Sequence, residues 1–521
     1  MTSILSSAVS AIWPGPRTKQ DRVKSTSRTR VVAVGSDSEG SSPEPDARKR
    51  IAIVGGGTSG LGVLIAILDL PEAARKGWEI DLYEAEENVG GVWLPDENPP
   101  SPPSLPSTPL YPALHTNTPV PTMTFPNFHF PPSTPLFPSH SHVLSYLESA
   151  VKHFGLNSHI NLSHRVESAS YADEEWTVEV SSPKEDEGQR RTRKYDHLVV
   201  ANGRYHHPSI PVWKGQDLWL TGAEPGEREV VHSLWYRGAE AYEGKTVIVV
   251  GFGASGWDLA TQCVPIAAKT YHSYTEKPDA PFQLPPITGS IQKPRISHFS
   301  GHAIHFVDGT TITDRNNLHI GAHNPSDSTL TTNKDYLRPL HHDIFSLDPK
   351  IPTTALAFAG LPWFIAVAQN SYAQGTFIAH AFADEDFLPS REEALKQLEI
   401  REEEKRAKGA DPFKAGHQFI TPGDAEAYQN SLISITRARS RVPLPSFLAD
   451  PLKDYVPEWR RWARAKGFIM RKGWRRAVEQ GVEGQWRIKG EGTTEEWIEQ
   501  MQKVLAWEEE QDKIDPRPIT C

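Results

Sequence analysis

Two stretches of this sequence carry residues whose types and spacing suit the capture of a diphosphate. Gly55-Gly56-Gly57-Thr58-Ser59-Gly60 and Gly251-Phe252-Gly253-Ala254-Ser255-Gly256 both read Gly-x-Gly-x-x-Gly, and they lie 196 residues apart. In such a turn the first glycine (Gly55) permits the tight bend and the second (Gly57) lets the backbone approach the phosphates. The third (Gly60) lets helix and strand pack closely. The helix that follows presents unpaired N–H groups and a partial positive charge to the anion. Thr58, Ser59, Ala254 and Ser255 share those helix starts and join the glycines, Gly256 included, as candidate cofactor contacts.

Each turn needs a strand before it and a helix after it. Ile51-Ala52-Ile53-Val54 is a short apolar run suited to a strand buried on both faces of a parallel sheet, and Leu61 to Leu70 reads as a buried helix. A second strand, Ile80-Asp81-Leu82-Tyr83, ends at Glu84, 24 positions after Gly60, where a carboxylate accepts ribose hydroxyls. The second unit repeats the plan: Thr246 to Val250 is a strand, Trp257-Asp258-Leu259-Ala260 continues the helix, and another strand lies near Thr270 to Ser273. A bare glycine fingerprint is weak. Two in these contexts predict two Rossmann-like dinucleotide-binding units of α/β class.

Gly90-Gly91-Val92-Trp93 follows Glu84 closely. With it the sequence resembles the flavin-containing monooxygenases, in which Gly-Gly-x-Trp lies against the flavin. The resemblance covers about residues 50 to 390. It implies FAD in the first unit, with Gly91, Val92 and Trp93 among its contacts, and NADPH in the second. Domain boundaries follow: 1–48 a disordered or targeting tail, 49–215 the first part of the FAD domain, 216–335 an inserted NADP domain, 336–390 the second part of the FAD domain, and 391–521 a helical C-terminal extension.

Further segments carry the likeness. Prolines recur from Pro95 to Pro138, so neither helix nor central strand can persist there. Yet Thr116-Asn117 and Met123-Thr124-Phe125 resemble the family's flavin-covering loop, laid extended over a rigid surface. Asn127 stands where the family has aspartate. Tyr195 to Gly203 resembles the segment that returns the chain to the flavin sheet, and Gln374 falls in the late helix that the resemblance places near the cofactor. In the family, reduced flavin takes up O₂ at C(4a) to give a hydroperoxide whose distal oxygen goes to a nucleophilic nitrogen or sulfur. Asn117 is the expected polar contact to that intermediate and to the nicotinamide, since an amide donates without a labile acidic proton. A turn residue in Asn-Thr-Pro is the plainer reading.

The sequence also departs from the family. His232-Ser233-Leu234-Trp235-Tyr236 matches only half of its identifying motif, with Arg228 and Gly226 replacing the expected glycine and aromatic. Baeyer–Villiger enzymes have tryptophan at the position of Tyr236; Trp235 is one place early, which favours heteroatom oxygenation over ketone oxygenation. Thr275 occupies the place of the arginine that takes the 2′-phosphate of NADPH, with Glu276, Lys277 and Lys269 nearby, which leaves NADH open. Asp314 to Gly321 stands where a buried strand and a linker are expected and does not read as a strand. A remodelled linker and an error in the gene model both fit. A catalytically weakened FAD-binding relative is a third functional reading beside N/S-oxygenase and Baeyer–Villiger enzyme.

Composition narrows the alternatives. A net charge of −10 argues against non-specific nucleic-acid binding, and no run of 18 apolar residues exists to span a membrane. The charged end Glu508 to Lys513 lacks the tail anchor of some family members. The two cysteines, Cys263 and Cys521, form no Cys-x-x-Cys, so the disulfide reductases that share this architecture are excluded. No catalytic triad or metal-ligand cluster is visible. The arginine- and serine-rich residues before 48 suit a disordered tail or a mitochondrial transit peptide, with the cytoplasm as the default location. The partners expected are a small molecule and O₂, with a homodimer left open. Arg391 to Lys408 reads as a solvated helix, and Trp459, Trp462, Trp474, Trp486, Trp497 and Trp507 read as packing anchors.

Overall fold

The computed structural model describes residues 48–517, apart from 184–189, 207, 209, 225–226, 276–285, 314–317, 322–335 and 420, with only the backbone given for 318–321. The expected tail at 1–48 therefore lies outside the described residues except for Arg48, as do Glu276, Lys277, Cys521 and residues 184–189.

Two sheets carry the fold. The first gathers β1 (Arg50–Val54), β2 (Glu79–Tyr83), β3 (Ile160–Asn161) and β7 (His197–Val200), and returns 140 residues later for β16 (Leu340–His341), β17 (Phe345–Ser346) and β18 (Leu356–Phe358). Its order is 16-17-18-7-1-2-3, parallel except at the β16–β17–β18 edge. Between these lie β4 (Arg165–Ala172), β5 (Glu175–Ser181) and β6 (Arg190–Tyr195), which form a separate antiparallel sheet.

Side-chain alternation along β1 builds the layers. Ile51 and Ile53 enter a core shared with helices α1 (Thr58–Leu68) and α2 (His140–His153), while Ala52 and Val54 enter a second core under β4–β6. Truncating Ile53 to alanine would cost roughly 2–5 kcal/mol.

The second sheet is fully parallel. It comprises β8 (Arg228–Val231), β9 (Thr246–Val250), β10 (Lys269–Ser273), β11 (Ile291–Lys293) and β15 (Leu318–Gly321), in the order 11-10-9-15-8. Val247 and Val249 face α3 (Ala254–Cys263), and Ile248 faces a small antiparallel sheet of β12 (Ile296–Ser300), β13 (Ala303–Phe306) and β14 (Thr311–Ile312). The expectation that 314–321 holds no strand is corrected here. Leu318–Gly321 pairs with β8 on one side and β9 on the other. Its few apolar residues hide it; the neighbours' backbone groups dictate it.

Five further long helices close the molecule: α4 (Val367–Ala383), α5 (Arg391–Ala407), α6 (Asp424–Arg439), α7 (Glu458–Glu479) and α8 (Thr494–Ile514). α4 crosses α1 closely, because a side chain at Gly62 would meet Ser371 Cβ at 2.7 Å and one at Gly375 would meet Val63 Cα at 2.8 Å. The C-terminal helices join the first core through Leu432, Ile433, Trp474, Trp497 and Met501, and Trp459, Trp462 and Trp486 pack against it. Five of the six tryptophans thus pack as expected, while Trp507 meets Trp486 edge-on at 5.2 Å between ring centroids. α5 is not simply a solvated face: Arg401 forms an ion pair with the fully buried Asp343, which His417 also contacts at 2.8 Å. No helix among the described residues is long and apolar enough to cross a membrane.

Candidate active site: two phosphate cradles on one cavity

The two glycine turns are built alike. Gly55 N–H donates to Tyr83 O at 2.8 Å, and Gly251 N–H to Ser273 O at 2.9 Å, so each turn begins by crossing to the end of the neighbouring strand. Gly55 holds φ +110° and Gly251 φ +108°, a backbone region that side chains rarely adopt. The third glycines are steric necessities: a Cβ on Gly60 would sit 1.9 Å from Gly55 O, and one on Gly256 2.3 Å from Gly251 O.

The middle glycines differ. A Cβ on Gly57 would touch nothing nearer than Gly91 Cα at 3.4 Å, and one on Gly253 has no neighbour within 4 Å. Nothing in the protein itself requires glycine there, and the space a Cβ would fill is open to a ligand approaching the backbone. Both helices start without a capping side chain and without an acid in the first turn, so their amides remain available to an anion.

Both cradles open into a single cavity of about 1830 Å³. Of the sequence-predicted residues, Gly55, Gly57, Thr58, Ser59, Glu84, Gly91, Val92, Trp93, Thr116, Asn117, Gly251, Gly253, Ala254 and Thr275 line it. Gly60 and Gly256 are buried and Ser255 is exposed, and none of the three lines the cavity. Gly91 abuts the first cradle, with Gly57 Cα 3.0 Å from where its own Cβ would be. Glu84 is buried, and its Oε2 accepts from Gly56 N–H at 2.7 Å and its Oε1 from Glu86 N–H at 2.9 Å. Burial raises the pKa of this carboxyl, and the two N–H groups oppose the shift. Each oxygen keeps a lone pair for a hydroxyl.

Prolines do keep 95–138 free of α-helix and central strand. Apart from a short 3₁₀ turn at Val120–Met123 and a bridge between His115 and Ser139, the stretch carries no regular element. It is pinned through Phe125, Phe130 and Phe137, with Phe130 stacked on Tyr146 at 4.0 Å between ring centroids. Asn127 takes φ +56°, which asparagine tolerates well. Thr116 is buried, and its Oγ1 has no hydrogen-bond partner among the described residues, an orphan on the cavity wall. Asn117 next to it is exposed. An uncapped helix start, an open glycine cradle, a ribose-ready carboxylate and an orphan hydroxyl together fit a bound dinucleotide.

Two expectations change. Gln374 is fully buried and does not line the cavity. Its Oε1 accepts from Gly360 N–H at 3.0 Å and Asn370 Nδ2 at 3.1 Å, and its Nε2 donates to Tyr428 Oη at 3.0 Å. It braces two residues that do line the wall. The half-motif at 232–236 is a strut: Trp235 Nε1 donates to Ser104 O at 3.0 Å, and Arg237 Nη2 to Thr108 O at 3.1 Å.

Arg295 was missed. It lines the cavity just beyond β11, whose Lys293 O accepts from Tyr274 N–H at 3.1 Å, and Thr275 lines the same cavity just beyond β10. Sequence proximity to Thr275 gives no sign of it, because a parallel neighbour strand is invisible to local spacing. The C-terminal wall was also missed: Glu426, Gln429, Arg460 and Arg464 all line the cavity. Among the described residues no group of three or more His, Cys, Asp or Glu could hold a metal.

A strand–glycine-turn–helix unit repeated on two sheets, both facing one cavity, defines a flavoprotein oxidoreductase that takes a second dinucleotide. A family model described as flavin-binding monooxygenase-like matches residues 48–277. Senecionine N-oxygenase of Tyria jacobaeae is 28% identical over 366 residues, 68% of this chain and 75% of that protein. Trimethylamine monooxygenase of Roseovarius nubinhibens is 24% identical over 432 residues, 79% of this chain and 90% of that protein. The solved structure of S-allyl-L-cysteine S-oxygenase from Allium sativum superposes with a TM-score of 0.65 over 88% of this chain and 99% of that one, at 21% identity, which speaks to the fold. Over these stretches the chain is similar to flavin-containing monooxygenases, a likeness that supports FAD and NADPH as its cofactors.

Proposed function

We propose that this monooxygenase oxygenates a soft nitrogen or sulfur of a small molecule, placing one atom of O₂ on the substrate and releasing the other as water. When bound, FAD supplies electron transfer from the nicotinamide and the activation of O₂. In this reading the Gly55–Gly60 turn and α1 hold the FAD diphosphate and Glu84 its ribose. Gly91, Val92, Trp93, Thr116 and Asn117 surround the ring. Gly251, Gly253, Ala254 and Thr275 receive NADPH, with Gly256 and Ser255 fixing the turn and Arg295 supplying the charge that Thr275 lacks.

Asn117 Nδ2 donates a hydrogen bond toward the reacting oxygen without releasing a proton. The proline-pinned cover keeps bulk water from it. The domain boundaries proposed are 49–215 and 336–390 for FAD, 216–335 for NADPH and 391–521 for the helical wall. The cytoplasm is the proposed location, the tail being the one feature that speaks for mitochondria, and a homodimer is the proposed assembly, which sedimentation would test.

The observation that carries this reading is the single cavity onto which both cradles open beside Asn117. The purified holoenzyme, given NADPH, ¹⁸O₂ and a thioether or tertiary amine, is expected to yield one labelled S- or N-oxide per NADPH consumed. Lactones from ketones without heteroatom oxides would favour the Baeyer–Villiger reading. Bound FAD with no NADPH oxidation would favour a weakened relative.

A further inference from the structure

The cavity wall farthest in sequence from the glycine turns comes from α6 and α7, and it holds two arginines in unlike states. Arg464 Nη1 lies 2.9 Å from Glu426 Oε1, a neutralised pair. Arg460 has no ion pair among the described residues. Its Nη2 donates to Thr124 Oγ1 at 2.9 Å, its guanidinium lies 4.6 Å from the Trp459 ring centroid, and its Nη1 is buried with no acceptor.

Burial lowers its pKa to about 10, with only the hydroxyls of Tyr455 and Tyr146 opposing, so it remains charged at neutral pH. A desolvated cation without a counter-ion is costly to keep, and a carboxylate is what offsets that cost most directly. Its position is fixed. Thr124 follows Met123 of the cavity wall, and Gln369 Nε2 holds the Thr122 and Thr124 carbonyls at 3.0 and 3.4 Å. Arg460 is thereby tied to the same covering segment that carries Asn117.

We propose that the substrate is a thioether or amine bearing a carboxylate, and that Arg460 receives this carboxylate through its unpaired guanidinium edge. The proposal rests on the heteroatom-oxygenase reading and adds the charge of the substrate to it. Arg464 and Glu426, already paired, bound the same wall without adding net charge.

The test uses two probes that differ only in the carboxylate, thioanisole and 4-(methylthio)benzoate. Each is titrated into the oxidised FAD holoenzyme by flavin difference absorbance and by calorimetry, and turnover is read as sulfoxide. The wild type is expected to bind 4-(methylthio)benzoate at least about tenfold more tightly. Arg460→Gln is expected to erase that preference while leaving FAD content and thioanisole affinity unchanged. Should Arg460→Gln not fold, Arg460→Lys, which keeps the charge but not the fork, is expected to retain a smaller preference.

Equal binding of the two probes by the wild type overturns the proposal, as does an undiminished preference in Arg460→Gln. Loss of FAD, or equally slowed flavin reduction with both probes, overturns it in favour of a flavin contact. Arg460-dependent binding without sulfoxide from either probe would sink the oxygenase reading and leave the anion site standing.

Discussion

Glu84 holds Gly56 before it can hold a ribose: Oε2 accepts the Gly56 N–H at 2.7 Å inside the first glycine turn. The carboxylate thus shapes the cradle, and under the proposed function it would contact the occupant with the same two oxygens. Glu84→Gln turns one of those acceptors into a donor facing an N–H. A charge-assisted bond of this kind is worth about 1.5–3 kcal/mol, so FAD affinity is expected to fall by about tenfold or more. Flavin fluorescence titration of the deflavinated protein measures it, and an unchanged affinity would remove Glu84 from the site.

The glycines of the first turn separate binding from folding. Gly57→Val is expected to give a folded, colourless protein, because a Cβ there meets no protein atom closer than 3.4 Å. Gly60→Val is expected to misfold, because the same addition would overlap Gly55 O at 1.9 Å. Circular dichroism with the visible spectrum distinguishes the two, and a yellow Gly57→Val protein would contradict the assignment.

Asn117→Ala is expected to keep its flavin and to consume NADPH while shifting the product toward hydrogen peroxide. Peroxide and oxide are quantified side by side against NADPH. Coupling equal to the wild type would return Asn117 to the role of a turn residue.

Arg295→Gln is expected to raise the KM for NADPH by about tenfold, equivalent to about 1.4 kcal/mol, and to leave NADH nearly unaffected. Steady-state flavin reduction with both coenzymes is the measurement. An equal loss with each would mean that Arg295 does not read the 2′-phosphate.

Buried histidines set an acid limit. Burial lowers His197 to about 4, with Lys49 adding to the shift, while its bond to Thr354 O and the charge of Asp196 oppose it; burial likewise holds His342 and His380 near 4. Their folded pKa values lie below the unfolded one, so the unfolded chain binds more protons between about 4 and 6.5 and stability rises with pH across that window. The thermal midpoint is expected to fall as pH drops from 7 toward 4. His197→Gln, which can still donate to Thr354 O, should show a shallower fall; an identical profile would exclude His197 as a contributor.

The parts legible in sequence were those written locally. Ile51 to Glu84 carries strand, turn, helix and carboxylate within one stretch, and Thr246 to Ser273 repeats it, so periodicity and glycine spacing suffice. Strand β15 was not legible, because Leu318 and Ile320 are too few to mark a buried strand and its pairing partners lie at 228–231 and 246–249. Gln374 looked like a contact because its helix reaches the cavity, but helical phase turned it onto Tyr428 and Gly360. Arg460 joins Thr124 across 336 residues, and no local pattern announces such a meeting.

Tyr111 donates its hydroxyl to Asp258, and Arg475 Nη2 reaches the other oxygen of that carboxylate at 3.6 Å. Asp258 belongs to the helix after the second glycine turn, and Tyr111 precedes Asn117 by six residues. Any rocking of the nicotinamide half against the flavin half must therefore drag the cover along or snap this link. Under the proposed function, delivery of the hydride and shelter of the oxygen would share this one mechanical joint.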